Sequence, residues 1–245
     1  MFESVTAPQM VAPPAWQDVE TRLCRLFTGL LGDAQRCANV FAVTADAGSG
    51  KTFTAKRYAA QSEHVLLLQC NEYWNRRLFL GELLRAAGFD GGGRTVGEMM
   101  ELAVAAIGRL PRLLIVLDEA DKLSDQLMLF FITLYNRLED RCGIVMCGTD
   151  FLEKRIVARM RLNKRGYKEI YSRIGRRFVV LKGNGAADIR AVCRANGVAD
   201  GDLLAEIVNE SEGDLRRVRR KIHALRGQAA AERRKTGRNV SEKPE

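Results

Sequence analysis

The chain has few residues that interrupt regular structure. It contains five prolines in 245 residues, and three of them, Pro8, Pro13 and Pro14, crowd into its first stretch. Residues 1–14 therefore read as an irregular arm, and the remainder is open to uninterrupted helices and inner strands. The chain also lacks paired cysteines. Cys24, Cys37, Cys70, Cys142, Cys147 and Cys193 are scattered, with no CxxC pair and no histidine at metal spacing. Neither a disulfide framework nor a zinc site is expected, and the pattern fits small buried hydrophobes in a reducing cytoplasm. No apolar run approaches the roughly 20 residues of a membrane helix. The opening MFESVTAPQM has no basic stretch leading into an apolar one, so no signal peptide is expected.

What is present fits a globular chain, with 47% hydrophobic and 28% charged residues. The net charge is +9 and unevenly placed. Eleven lysines or arginines lie between Lys154 and Lys182, against one acid, Glu169. A second cluster comprises Arg216, Arg217, Arg219, Arg220 and Lys221. Such clusters suit a polyanionic partner, and also a solvated basic face.

Hydrophobic periodicity orders the rest. Ala15–Leu31 has a helical rhythm. Val40–Thr44, the run HVLLLQC, Leu113–Leu117, the run GIVMCGT and residues 177–181 read as five strands, with helical segments Asn75–Ala87, Thr95–Leu110 and Asp125–Leu138 between them. Continuous apolar strands alternating with helices predict an α/β domain over 15–182, a parallel sheet with helices on both faces. After Lys182 the strands stop. Ala186–Ala195, Asp202–Glu210 and Asp214–Leu225 predict a small helical domain over 183–226, with Asp214 capping its last helix. Residues 227–245 read as a polar tail that frays.

Two segments carry chemistry. ADAGSGKT, from Ala45 through Asp46, Ala47, Gly48, Ser49, Gly50 and Lys51 to Thr52, sits between a strand and a helix. Its backbone N–H groups and the helix N-terminus suit phosphate, Lys51 reaches the outer phosphates, and the Thr52 hydroxyl suits Mg²⁺. LLIVLDE ends a buried strand in Asp118, placed to hold Mg²⁺, and Glu119, placed to polarise water. Thr149 follows the fourth strand and reads as a phosphate- or water-contacting group or as a helix cap. Tyr73 and Trp74 would suit base stacking, although packing is the favoured reading.

The letters Asp118-Glu119-Ala120-Asp121 match the tag of DEAD-box helicases, but those need two such sheets and the sequence supports one. The full set resembles the AAA+ ATPases instead. ADAGSGKT matches their Walker A loop, LLIVLDE Walker B and IVMCGT a sensor strand; YSRIGRRFVVL and GDLRRV match their later arginine motifs. Within that superfamily, VLDEADKL, CGTDFLEKRI and the SRI and GDLRRV spacings resemble the transposon target-selection ATPases, the group of the phage Mu B protein, near the initiator branch. That resemblance implies ATP with Mg²⁺, hydrolysis, and a homo-oligomeric filament or ring on double-stranded DNA that serves a transposase. It implies Arg173 as the arginine acting across subunits, with Arg176 and Arg177 as substitutes, and Arg216 as the second sensor. Arg76, Arg77, Lys154, Arg155, Lys164 and Arg165 are the candidate DNA contacts. An ATPase energising a secretion or assembly complex is the alternative.

Overall fold

A computed structural model describes residues 15–240, with side chains described through residue 231. The arm expected over 1–14 lies outside the described residues. Among them, no helix is long and apolar enough to cross a membrane. The chain divides into two compact units, Glu20–Asn184 and the residues from Gly185 onward joined by those up to Val19.

The larger unit is a five-stranded parallel sheet of β1 (Val40–Thr44), β2 (Val65–Gln69), β3 (Leu113–Asp118), β4 (Cys142–Gly148) and β5 (Val179–Val180), in the order β2-β3-β4-β1-β5. The period-two alternation of strand side chains supplies both faces. Leu113, Ile115 and Leu117 point into one core with Leu80, Leu83 and Phe131. Leu114 and Val116 point into the other with Leu23, Phe27 and Leu31. Helices α1 (Arg22–Cys37) and α2 (Lys51–Gln61) supply the second core; α3 (Arg76–Ala86), α4 (Val96–Ile107), α5 (Asp125–Leu138), α6 (Asp150–Arg161) and α7 (Tyr167–Arg173) supply the first. The parallel α/β class expected from the sequence is the observed one.

Local chemistry moved several boundaries. The first helix starts at Arg22 rather than Ala15, because the Thr21 side chain accepts from Cys24 N at 3.3 Å as its N-cap. It runs on to Cys37 and stops where Ala38 turns left-handed at φ 52°. Trp16 and Val19 pack instead in the other unit. β5 is reduced to two residues, which pair with Val43 and Thr44. The basic stretch after Lys154 folds as α6 and α7. Trp74 is core, edge-on to Phe79, whereas Tyr73 is 69% exposed.

The smaller unit packs α8 (Ala186–Ala195), α9 (Gly201–Ser211) and α10 (Leu215–Val240) around Ile189, Val192, Ile207, Val218 and Ile222. Asp214 caps α10, its Oδ1 accepting from Arg216 N at 2.7 Å. α10 does not fray at Gly227 as expected: its backbone is helical to Val240. Gly227, like Gly237 after it, is too weak a breaker to end a stretch rich in alanine and arginine.

α1 reaches the sheet through Gly143 on β4, where an added Cβ would lie 2.2 Å from the backbone oxygen of Ala34. Gly143→Ala should therefore force α1 off the sheet and cost about 1–3 kcal/mol, the usual range for overpacking. Urea unfolding reads this as a lower midpoint at unchanged slope. An unchanged midpoint would mean that α1 can retreat freely.

Candidate active site

All strands run the same way, so the loops leaving β1, β3 and β4 meet at one edge of the sheet. The register aligns Gln69 with Asp118 and Thr44 with Gly148, and Ala45 N donates to Gly148 O at 3.2 Å. Ligands in open parallel sheets bind at such carboxyl ends.

The loop after β1 turns on two glycines in the left-handed region, Gly48 at φ 73° and Gly50 at φ 101°. Gly50 caps α2, which aims the first N–H groups of that helix into the loop. Lys51 Nζ donates to Ala45 O at 2.6 Å and to Asp46 O at 2.9 Å. Ser49 Oγ is buried with no hydrogen-bond partner among the described residues. Asn184 donates its side-chain N–H to Ser49 O at 3.0 Å.

Asp118 ends β3 and is 2% exposed. It accepts a hydrogen bond from the Thr52 side chain, and its Oδ1 accepts from Glu119 N at 3.1 Å. Burial pushes its carboxyl above the usual range, as does the nearby Glu119 charge; the Thr52 and Glu119 hydrogen bonds and Lys51 oppose the shift. Burial likewise pulls Lys51 down, against the charge of Asp118. A hydroxyl and one carboxylate held together fit a hard cation that takes its remaining oxygens from phosphate and water. Among the described residues there is no cluster of three or more His, Cys, Asp or Glu side chains that would hold a metal unaided.

Glu119 adopts a left-handed backbone, φ 56°, uncommon for a residue with a side chain. Its Oε2 accepts from Gln69 Nε2 at 3.3 Å and Lys122 Nζ at 2.8 Å. Thr149 caps α6, its Oγ1 accepting from Phe151 N at 3.4 Å, and donates to Asp121 Oδ2 at 2.8 Å. The helix-cap reading thus describes its geometry, with Asp121 as a second partner. At Gly148 an added Cβ would lie 2.9 Å from Asp121 Oδ1 and 3.0 Å from Leu152 Cβ.

The structure therefore gathers Ala45–Thr52, Asp118, Glu119 and Thr149 at one edge. It adds Gln69, Asp121, Lys122 and Asn184, which sequence reasoning missed. Gln69 alone had a readable signal, as a polar residue ending a buried strand.

Arg173 Nη2 donates to Asn136 Oδ1 at 2.9 Å and to Glu169 at 3.4 Å, and its guanidinium covers the Tyr135 ring at 5.0 Å. Arg176 and Arg177 are exposed. Arg216 is exposed on the first turn of α10, in the smaller unit.

Of the basic residues considered for DNA, Arg155 must be set aside. It is 10% exposed, and its guanidinium is committed to Asp125 and to the Asp121 and Leu123 carbonyls. Lys154 pairs with Asp150 at 2.5 Å but remains 72% exposed. Arg76 lies 5.7 Å over the Phe130 ring, and Arg77 donates to Arg94 O at 2.7 Å. Lys164 and Arg165 are exposed between α6 and α7.

Residues 35–156, just under half of the chain, match the model of the AAA domain family. A search of curated proteins found no match. Solved structures share the fold. A Drosophila ORC structure bound to DNA is 16% identical at TM-score 0.51, over 91% of this chain and 64% of that one. The replication initiator DnaA bound to AMPPCP and single-stranded DNA is 14% identical at TM-score 0.56, over 89% and 66%. A signal-transduction ATPase with numerous domains from Pyrococcus horikoshii is 17% identical at TM-score 0.51, over 83% and 30%. The chain spans less than two thirds of the length of each. The fold is that of an AAA+ P-loop protein with a helical C-terminal region.

The raised Asp118 carboxyl sets a pH dependence. The folded protein holds this proton more tightly than the unfolded chain does. That contribution to stability is complete below the ordinary carboxylate range and is lost as pH rises through the raised folded value. Asp118→Asn removes the titrating group, so its stability relative to the native protein should climb over that window. Denaturant midpoints of nucleotide-free protein, taken from acid to neutral pH, check this. A difference that does not change with pH would mean that the charge is well solvated.

Proposed function

We propose that this AAA+ chain binds ATP with Mg²⁺, hydrolyses it, and in its ATP state assembles on double-stranded DNA to select or deliver a target for a transposase. The observation that carries the ATP reading is the meeting of Thr52 and Lys51, at the start of α2, with the buried carboxylate of Asp118. It joins the helix behind the phosphate loop to the acidic strand end, beside Glu119. Mg²⁺, when bound, would supply positive charge to the phosphate oxygens. Thr52 and Asp118 would hold it, while Lys51 gives up the Ala45 and Asp46 carbonyls for phosphate oxygen. Glu119, released from Gln69 and Lys122, orients the attacking water. Thr149 serves as a γ-phosphate contact in this reading, and the resemblance of GDLRRV to the family's motif gives Arg216 the role of second sensor.

The DNA reading draws on the exposed cations Arg76, Arg77, Lys154, Lys164 and Arg165, and on ORC and DnaA, both solved with DNA. Contacts of this kind go to phosphates and carry little sequence information. Assembly multiplies a few contacts per subunit into useful affinity. The transposase reading rests on the likeness of VLDEADKL, CGTDFLEKRI and GDLRRV to the target-selection ATPases.

Fluorescence anisotropy on random-sequence duplexes tests the whole. Binding should appear with ATP, be weak with ADP, and show similar affinity across sequences. Log affinity should fall with log salt at about −0.9 per phosphate contact. Lys51→Ala should lose ATP binding by calorimetry and, with it, the ATP-dependent DNA binding. Tight binding that ignores nucleotide would overturn the assembly reading.

Arg173 is proposed to complete a neighbour's site, with Arg176 and Arg177 next in line. Arg173→Ala should then leave ATP binding intact and lower hydrolysis, by as much as about 10³–10⁵, the worth of an arginine finger. Mixing it with Lys51→Ala subunits checks that the defect acts between subunits; full activity of Arg173→Ala would move the role to Arg176 or Arg177.

A further inference from the structure

The cations of the larger unit are not equivalent. Many are committed to acids: Lys122 to Glu119, Arg137 to Glu101, Lys154 to Asp150, Arg155 and Arg159 to Asp125, and Arg173 to Glu169. The turn from α6 to α7 differs. Arg161, Lys164, Arg165 and Lys168 are exposed there, with no side-chain partner among the described residues, and no acid interrupts the run.

This turn has a fixed shape and a firm mount. Leu162, Asn163 and Lys164 donate their backbone N–H groups back to Ala158, Met160 and Arg159. Gly166, at φ 81°, lies so close to α5 that an added Cβ would sit 2.2 Å from Leu129 Cδ2. Tyr167, the next residue, is buried, and its hydroxyl donates to Asp125 Oδ1 at 2.6 Å.

Asp125 gathers three donors from two helices. Besides Tyr167 it takes Arg155 Nη2 at 2.8 Å and Arg159 Nη1 at 2.9 Å, and the Arg159 guanidinium lies 5.8 Å over the Tyr167 ring. Arg155 Nη1 also donates to Asp121 O at 3.2 Å and Leu123 O at 2.5 Å. Those carbonyls belong to the segment that carries Asp118 and Glu119, and Asp121 accepts from Thr149. A single carboxylate thus links the mount of the basic turn to the segment assigned to hydrolysis. Burial pushes the Asp125 carboxyl up, but the Tyr167 hydroxyl and both guanidinium groups outweigh it and hold the carboxyl below its usual range.

We propose that the Arg161–Lys168 turn is a contact surface for duplex phosphates, and that Asp125 is the positioning residue through which an occupied turn alters hydrolysis. The proposal rests on the ATP- and DNA-dependent reading above. Four uncommitted cations on a rigid mount gain phosphate partners without first breaking ion pairs. A shift of that mount acts on Asp125, hence on Arg155 and on the two carbonyls it holds.

The test uses the full chain and random-sequence duplex, measuring anisotropy and steady-state ATP hydrolysis with and without DNA. Lys164→Ala combined with Arg165→Ala should reduce the salt slope by about 1.8, two contacts' worth. Tyr167→Phe keeps the buried ring and removes only the hydroxyl; Arg159→Ala cuts the same clamp at a more exposed site, which guards against misfolding of the first variant. In both, the readout is the ratio of hydrolysis with duplex to hydrolysis without it, which a purely structural loss that lowers both rates equally leaves unmoved. The response to duplex should fall about 2- to 30-fold, the range for side chains in coupled networks. If both respond to duplex as the native protein does, the clamp is refuted while the reading above stands. An unchanged salt slope in the double variant refutes the turn as the surface. If the native protein neither binds duplex nor responds to it, the reading above falls and takes this proposal with it.

Discussion

A sheet covered on both faces leaves its polar chemistry one place to go, the ends of its strands. β3 and β4 are buried along their whole length, so neither carries a solvated side chain on its flank. Asp118 is the point where this constraint is sharpest. It is a carboxylate at the end of a buried strand, with a hydroxyl from α2 and a backbone N–H as its donors. Moving β3 by one residue would send Asp118 to the other face and part it from Thr52. The strand pairing therefore fixes the site more firmly than the loops do.

The burial that fixes the carboxylate also makes it costly. Asp118 and Lys51 are each pushed toward their neutral forms by loss of water, and each opposes the other's shift. Such a pair is sensitive to added charge. A bound phosphate would favour the charged Lys51, and a cation the charged Asp118, so the two would be expected to strengthen each other's binding. Cys70 and Cys147, buried beside the same groups, have thiols pushed up and poorly suited to reaction.

Much of this was legible in the sequence because it is local. A phosphate loop needs glycines, a lysine and a hydroxyl within eight consecutive residues, and a buried strand ending in acids is a short pattern too. The partners of these residues are not local. Gln69 meets Glu119 across 50 positions, and Thr149 meets Asp121 across 28. Only the strand register brings them together, and periodicity carries no register. Charge counting failed at Arg155 for a related reason. A guanidinium turned inward onto two carbonyls and an acid looks, in a sequence, like any other member of a basic run. Helix ends were misplaced at Thr21, where capping decided the start, and at Gly227, where one glycine was taken for a stop.

Gly148, Thr149 and Asp121 form a unit that ordinary sequence drift should find hard to break. Any side chain at 148 displaces the Asp121 carboxylate, and displacing it strips the Thr149 hydroxyl of its acceptor. Serine keeps both the cap and the donor at 149, whereas valine, though its shape is similar, keeps neither. Across descendants of this fold, positions 148 and 121 should hold their residues, and 149 should alternate between two hydroxyl residues. That pattern would mark the joint between the third and fourth strands even after the helices around it have diverged beyond recognition.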